Sequence, residues 1–458
     1  MSNTPAVGVG AGPVRRRVAH IAVGWPAVSR SVSFGLVLLG VAVAWLSIGS
    51  LPAQGAGPNS LDVRASYDVD ATIHWNSGNF EVRSTAHVTN TSGAAVSALT
   101  FNTILLRLGG AENLSASVNG KQANFDRQDQ SIVVTLPGKL ARGAKADVTI
   151  NYLAHWNTNA GGKRSLFLQS KGIITAYRWI PWLSRVQPFN TPNFGESWVT
   201  ATSPRVTVQF HHDVPLTFAT NGTRTGSGNG SQTFTAHDVR DFNFSASGDY
   251  KTATRSWNGY TVKFFWKDRG SEDLIQWSMA TLKEYHNRLG GLPWRHLTVA
   301  ETQTGSGMES PGMTWVASNT FGSQRKYVIV HEMAHQWFYG AVGNNQAISP
   351  FLDEAVGDFM TRDFLSTFRG SQCAQARLDK TVYQYNGGCY GEVIYVQGSL
   401  YLRDYRAEVG ATKFWNGLEN FYRKFKFRIA GTRALLDTLD AASGYNSQRH
   451  GARFPSLY

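Results

Sequence analysis

The stretch His331-Glu332-Met333-Ala334-His335-Gln336-Trp337, followed by Phe351-Leu352-Asp353-Glu354-Ala355, decides how the rest of the chain is read. Residues four apart on a helix lie one above the other. His331 and His335 can therefore turn two imidazoles towards one metal ion, with Glu332 beside them as a base for water. Eighteen residues separate His335 from Glu354, enough to put that carboxylate on a second helix packed against the first. Two imidazoles and a carboxylate with a fourth position open form the ligand set of a catalytic zinc, not a structural one. The alternative is a helix with two surface histidines. It fits poorly, because Val328, Ile329, Val330, Met333, Ala334, Trp337 and Phe338 leave little solvated face. Buried without metal, the same motif would strand several polar groups. The expectation is one Zn2+ per chain, lowering the pKa of its water, with Glu332 taking the proton.

The chain has 458 residues, 42% of them hydrophobic and 16% charged, which is material for two or three domains with real cores. The net charge is +13, yet the basic residues are scattered. The clusters Arg15-Arg16-Arg17 and Arg423-Lys424-Phe425-Lys426-Phe427-Arg428 sit in no nucleic-acid motif. A basic protein facing an anionic cell surface is the favoured reading, with no nucleic-acid partner. Two cysteines, Cys373 and Cys389, cannot build a thiolate zinc site. In an oxidising compartment they can pair, closing a loop worth about 3 kcal/mol; otherwise they are two buried thiols.

Residues 1–31 form a basic leader without acidic residues, and residues 32–51 are nearly all apolar, long enough to cross a bilayer. Arg15 to Arg17 and Arg30 precede that run and should hold the amino end in the cytoplasm. Two outcomes follow. An uncleaved signal anchor makes a single-pass membrane protein. A cleaved signal peptide, with Ala53-Gln54-Gly55 as the small-residue site, makes a secreted one. Either puts the histidine motif outside the cytoplasm.

Residues 61–250 carry short runs of period two, such as Ser131-Ile132-Val133-Val134-Thr135-Leu136, separated by turn signals such as Asn119-Gly120 and Asn221-Gly222. They predict an all-β sandwich or saddle domain. Within them residues 166–193 are aromatic and Pro-rich and read as a loop or edge segment facing the next domain. Residues 256–458 mix strands and helices. Strands are expected at 260–266, 297–300 and 313–317, and helices at 272–288, 324–338, from Glu354 onwards, and at 399–408, 411–424 and 433–442.

The HEMAHQW and FLDEA segments, preceded by Gly305-Ser306-Gly307-Met308-Glu309-Ser310, resemble the zinc aminopeptidase family of aminopeptidase N and leukotriene hydrolase. That family carries HExxH, eighteen residues and Glu, with an upstream G-x-M-E-N segment. The resemblance implies a β saddle domain followed by a thermolysin-like α+β zinc peptidase domain, acting on peptides with a free N-terminus. It implies His331, His335 and Glu354 as zinc ligands and Glu332 as the base. It also implies Glu309 as the holder of the substrate's α-amine, with Gly307 and Met308 on an edge strand that pairs with substrate backbone. Tyr395, in Tyr-Val-Gln-Gly, would donate to the oxyanion, unless it is an ordinary helix-start tyrosine; Tyr401 is the substitute.

The sequence also departs from the family pattern. Ser310 replaces the Asn of the segment. Alignment on Arg178 puts Ile173 where a second amine anchor would stand. The family's large C-terminal helical domain has no counterpart, which implies a more open site. Between Glu354 and Tyr395 the interval is short, and a Cys373–Cys389 bridge inside it would stiffen the loop presenting Tyr395. Asp358, one helical turn after Glu354, can orient a zinc histidine through its second N–H, or can simply face solvent. The leading reading is a cell-surface aminopeptidase. Its rivals are an endopeptidase or broader peptidase of the same fold, and a surface binding protein that keeps the domain as a scaffold. Lipid-epoxide hydrolysis has only family analogy behind it.

Overall fold

Along strand Arg64–His74, Ala65, Tyr67, Val69, Ala71 and Ile73 are buried while their neighbours are more exposed. That alternation suits a sheet with one face on a core and one in water. The chain turns through Gly78, at φ +71°, and returns as Asn79–Thr89 in full antiparallel register. The computed structural model describes residues 60–184, 200–445 and 448–458, apart from 109 and 160. The leader at 1–31 and the apolar run at 32–51 lie outside the described residues. No helix among the described residues is long and apolar enough to cross a membrane.

Three sheets fill the first part of the chain. The largest has eight strands, with Arg64–His74 and Asn79–Thr89 near its centre and Lys145–His155 and Val206–His212 on either side of that pair. Two four-stranded sheets complete it. Their shared core is strongly aromatic: Trp156 stacks on Phe167 with ring centres 4.1 Å apart, and Phe210 on Phe218 at 4.6 Å. Of the loop or edge segment expected over residues 166–193, the described part takes the edge form, with Phe167–Ser170 and Trp182–Leu183 each at the margin of a sheet. Phe167–Ser170, Ile173–Ala176 and Trp182–Leu183 are strands, and Trp179 and Trp182 lie in the core. Large rings gain more from burial than a loop could give them. Residues 185–193 lie outside the described residues.

A five-stranded sheet follows, in the order Lys251–Trp257, Tyr260–Trp266, His296–Thr302, Met313–Ala317, Gly307–Ser310. The three middle strands are parallel. The last two form a hairpin turned by Gly312 at φ +76°, so Gly307–Ser310 is an edge strand, as the resemblance implies for Gly307 and Met308. Helices Glu272–Leu289 and Gly322–Ala334 pack against each other beside this sheet, and helices Ala411–Phe425 and Thr432–Ser443 close the far side of their core. The histidine helix ends at Ala334, with His335 as its cap, rather than at Phe338.

Two helices open unusually. Phe351–Ala355 is a π turn running into Val356–Leu365, and Gly391–Gln397 is a π segment running into Gly398–Val409. Such wide turns are rare and cluster at functional sites; the sequence had suggested ordinary helices. They meet at Gly398, where an added Cβ would lie 2.5 Å from the Cβ of Ala355. Gly398→Ala should therefore push the two segments apart and cost about 1–3 kcal/mol. Chemical denaturation would measure this, and an unchanged midpoint would show that the contact is not tight.

Candidate active site

Helical spacing sets the first two groups. His331 and His335 lie one turn apart, and their Nε2 atoms come within 3.1 Å. The π turn brings Glu354 in from the second helix, with Oε2 3.2 Å from His331 Nε2 and 3.5 Å from His335 Nε2. Ligands about 2.0–2.1 Å from a tetrahedral zinc lie about 3.3 Å from one another. The three atoms thus already have the spacing of one face of such a site. Gly357 lets the second helix approach, since a Cβ there would sit 3.1 Å from His335 Cε1.

Proton placement agrees with this geometry. His335 Nδ1 lies 3.1 Å from the Phe338 carbonyl, towards which its N–H points, and 2.8 Å from Asp353 Oδ1, a charge contact at its side. Both neighbours are acceptors, so Nδ1 carries the proton and Nε2 keeps its lone pair for a metal. His331 Nδ1 is buried without a hydrogen-bond partner. The rings of Tyr327 and Tyr395 lie near-parallel to that imidazole, at 5.7 and 5.6 Å. Asp358 does not have the place proposed for it: its oxygens bond Tyr327 and Arg362, and Asp353 is the carboxylate facing a histidine. A helical count from Glu354 selected Asp358, but the π turn reorients the preceding residue instead.

The electrostatics call for a cation. Glu309, Glu332 and Asp353 are buried close to the partly buried Glu354. Burial, opposed by His335 but reinforced by Asp353, Glu332 and Glu354, holds the Glu309 carboxyl well above its usual range. Burial would raise Glu354 too, but hydrogen bonds and charge from His331 and His335 outweigh it and hold it well below. A dication is the natural relief for such a cluster.

All eight groups expected to line a site face one cleft of about 470 Å³: Gly307, Met308, Glu309, His331, Glu332, His335, Glu354 and Tyr395. Gly307 touches Glu332 so closely that a Cβ would fall 2.3 Å from its Oε1. Gln336 ties the edge hairpin to the histidine helix, accepting from Gly312 N at 2.8 Å and donating to Ser310 O at 3.0 Å. Tyr401 lies elsewhere, bonded to His450 Nδ1. The β part lends Gly162, Ser165 and Leu166 to the cleft, while Ile173 is buried in its sheet. The two cysteines are bonded, with Cα atoms 5.9 Å apart. Their loop is held by Gln397 Nε2, which donates to the carbonyls of Cys373 and Gln375 at 2.8 Å.

Sequence reasoning missed Asp353, Gln336 and Gly357. Asp353 had a signal, a carboxylate next to a ligand candidate; the others had none, since each acts through a contact distant in sequence. Zinc at a hundredfold excess over its Kd should stabilise the fold by about 2.7 kcal/mol. Thermal melting of the metal-free chain with added zinc should show a rise in Tm that His335→Ala abolishes; a rise of equal size in that variant would exclude this site.

No protein-family model matches the sequence, and no curated protein matches it. Solved structures do. A crystal structure of an M1 zinc metallopeptidase mutant from Deinococcus radiodurans is 18% identical with a TM-score of 0.66, covering 86% of this chain and 94% of that one. A mutant from the same organism bound to a Tyr-Ser-Ala substrate is 18% identical with a TM-score of 0.64, over the same shares. A two-domain M1 zinc metallopeptidase mutant bound to L-arginine is 18% identical with a TM-score of 0.66, over 84% of this chain and 92% of that one. The chain has the fold of the M1 zinc metallopeptidases, the fold expected from its resemblance to aminopeptidase N.

Proposed function

We propose that this chain is a zinc metallopeptidase that removes single residues from the free amino end of short peptides. One observation carries the reading. Carboxylate and ring atoms of Glu309, Glu332 and His335 all lie within 4.8 Å of one another. An amino acid's nitrogen and carbonyl carbon are about 2.5 Å apart. A terminal ammonium held by Glu309 therefore leaves the first peptide bond, and no later one, beside Glu332. The peptide and amino acid bound to the structural neighbours support a substrate of this class.

Zinc held by His331, His335 and Glu354 would supply Lewis acidity, polarising water and the scissile carbonyl. Glu332 takes the proton of the attacking water and returns it to the departing amine. Tyr395 donates a hydrogen bond from its hydroxyl to the carbonyl oxygen as negative charge builds there. The outer edge of Gly307–Ser310 offers backbone groups to an extended peptide, and the missing Cβ at Gly307 makes room for Glu332. A broader peptidase is the second reading, favoured by the absence of any carboxyl or amide side chain among the described β-part residues lining the cleft.

Hydrolysis of aminoacyl-arylamides beside their N-acetylated forms separates the two. The free amine should react at least about tenfold faster, and Glu309→Gln should raise KM for it by about the same factor. Equal rates on blocked and free substrates would refute the aminopeptidase reading.

We also place the catalytic part outside the cytoplasm, tethered by residues 32–51 or secreted. The Cys373–Cys389 bond supports an oxidising compartment. A membrane-impermeant lysine reagent should label this part on intact cells or find it in the medium; labelling only after lysis would overturn the placement.

A further inference from the structure

We infer that Gln346 is a positioning residue that orients both the amine-holding Glu309 and, through Asp353, the metal-holding His335. The inference rests on the peptidase reading above and deepens it. Gln346 lies between the histidine helix and the π turn of Glu354, and its side chain is buried. Its Nε2 donates to Glu309 Oε1 at 3.3 Å and to Asp353 Oδ2 at 2.5 Å. Its Oε1 accepts from Arg178 Nη2 at 3.4 Å. Asp353 Oδ1, in turn, lies 2.8 Å from His335 Nδ1.

Amide chemistry leaves one arrangement. Two carboxylates need the NH2 end and a guanidinium needs the carbonyl end, so the side chain cannot flip. A neutral amide is also the suitable donor. It gives one N–H to each carboxylate while adding no charge, so Glu309 keeps its attraction for an ammonium group. A lysine or arginine in the same place would compete with the substrate's amine. Gln346 occupies Oε1 of Glu309 and leaves Oε2 without a hydrogen-bond partner among the described residues, on a side chain that lines the cleft.

The link to Arg178 gives the β part an indirect role at the amine end. Ile173 stands where the resemblance would have a direct anchor. Arg178 reaches across instead, its Nη2 bonding Tyr339 Oη at 2.9 Å as well as Gln346. The amine subsite and the metal site are thus braced by a single side chain, itself held from the other part of the fold.

Gln346→Met keeps the length and removes both N–H groups; Gln346→Asn keeps a buried amide one methylene too short to span the carboxylates. Each would be prepared zinc-loaded, with thermal melting to confirm folding, and whichever folds is decisive. Chelator competition should show zinc affinity lowered about tenfold. KM for a free aminoacyl-arylamide should rise about tenfold with kcat changed less. In a Glu309→Gln background the Met substitution should add no further rise in KM, because its effect passes through Glu309. Unchanged zinc affinity and unchanged KM would overturn the inference. So would a fall in kcat alone, or an undiminished KM effect in the Glu309→Gln background, either of which marks a merely structural role. If the unmodified protein cleaved blocked and free substrates equally, the aminopeptidase reading would fall, and zinc affinity would still decide whether Gln346 positions His335.

Discussion

A histidine that offers one ring nitrogen to a metal must keep its proton on the other, and much of this structure serves that requirement at His335. Its Nδ1 is enclosed by the Phe338 carbonyl and Asp353. The carbonyl is available because the helix stops at Ala334 and the chain turns back. Asp353 is available because the next helix opens with a π turn. Were that turn α-helical, the angular offset between Asp353 and Glu354 would be the ordinary helical step. The wide turn lets adjacent carboxylates serve opposite sides of one imidazole.

Close packing keeps the wide turns in place. Glycines stand where two helices must nearly touch: Gly357 under the imidazoles and Gly398 against Ala355. Each gives up helix propensity relative to alanine, about 1 kcal/mol, in return for contact that a methyl group would block. The Tyr395 segment is thereby fastened to the Glu354 segment. The disulfide loop is fastened to the same segment through Gln397, and the chain just before it through Glu392, which pairs with Arg369 at 2.6 Å. Tyr395 is thus held from both sides.

The joint between the β part and the five-stranded sheet is polar and buried. Asp241 accepts from Ser310 Oγ at 2.7 Å and from Tyr339 Oη at 2.5 Å, and Arg178 lies alongside. Tyr339 has φ +119°, a conformation that side chains other than glycine rarely adopt and that costs about 1–3 kcal/mol. Tyr177, Arg178 and Asp241 hold its hydroxyl, and Arg240 Nη1 donates to its carbonyl at 3.1 Å. Gly343 lies flat against the Arg240 guanidinium, leaving no room for a Cβ. Ser310, a departure from the family pattern, is part of this joint, where its small hydroxyl meets both Asp241 and Asn243.

The sequence by itself determined what depends on local spacing. Two histidines four apart share a helix face whatever surrounds them, and alternating runs such as residues 131–136 make strands. His331, His335, Glu354 and Glu332 were therefore nameable from spacing, whereas Glu309, Gly307, Met308 and Tyr395 were nameable only through the family resemblance. Tertiary structure alone decided the rest. Asp358 was chosen by helical counting, which the π turn invalidates. Over residues 166–184 the prolines and aromatics leave a loop and an edge segment both open, and only the core volume waiting for Trp179 and Trp182 decides for edge strands. Gln346 and Gln336 have no local mark, because their roles consist of hydrogen bonds to partners 7 to 168 residues away. Spacing along a chain encodes which groups share a face. It does not encode which distant groups meet once that face is buried, and there the second layer of this site was made.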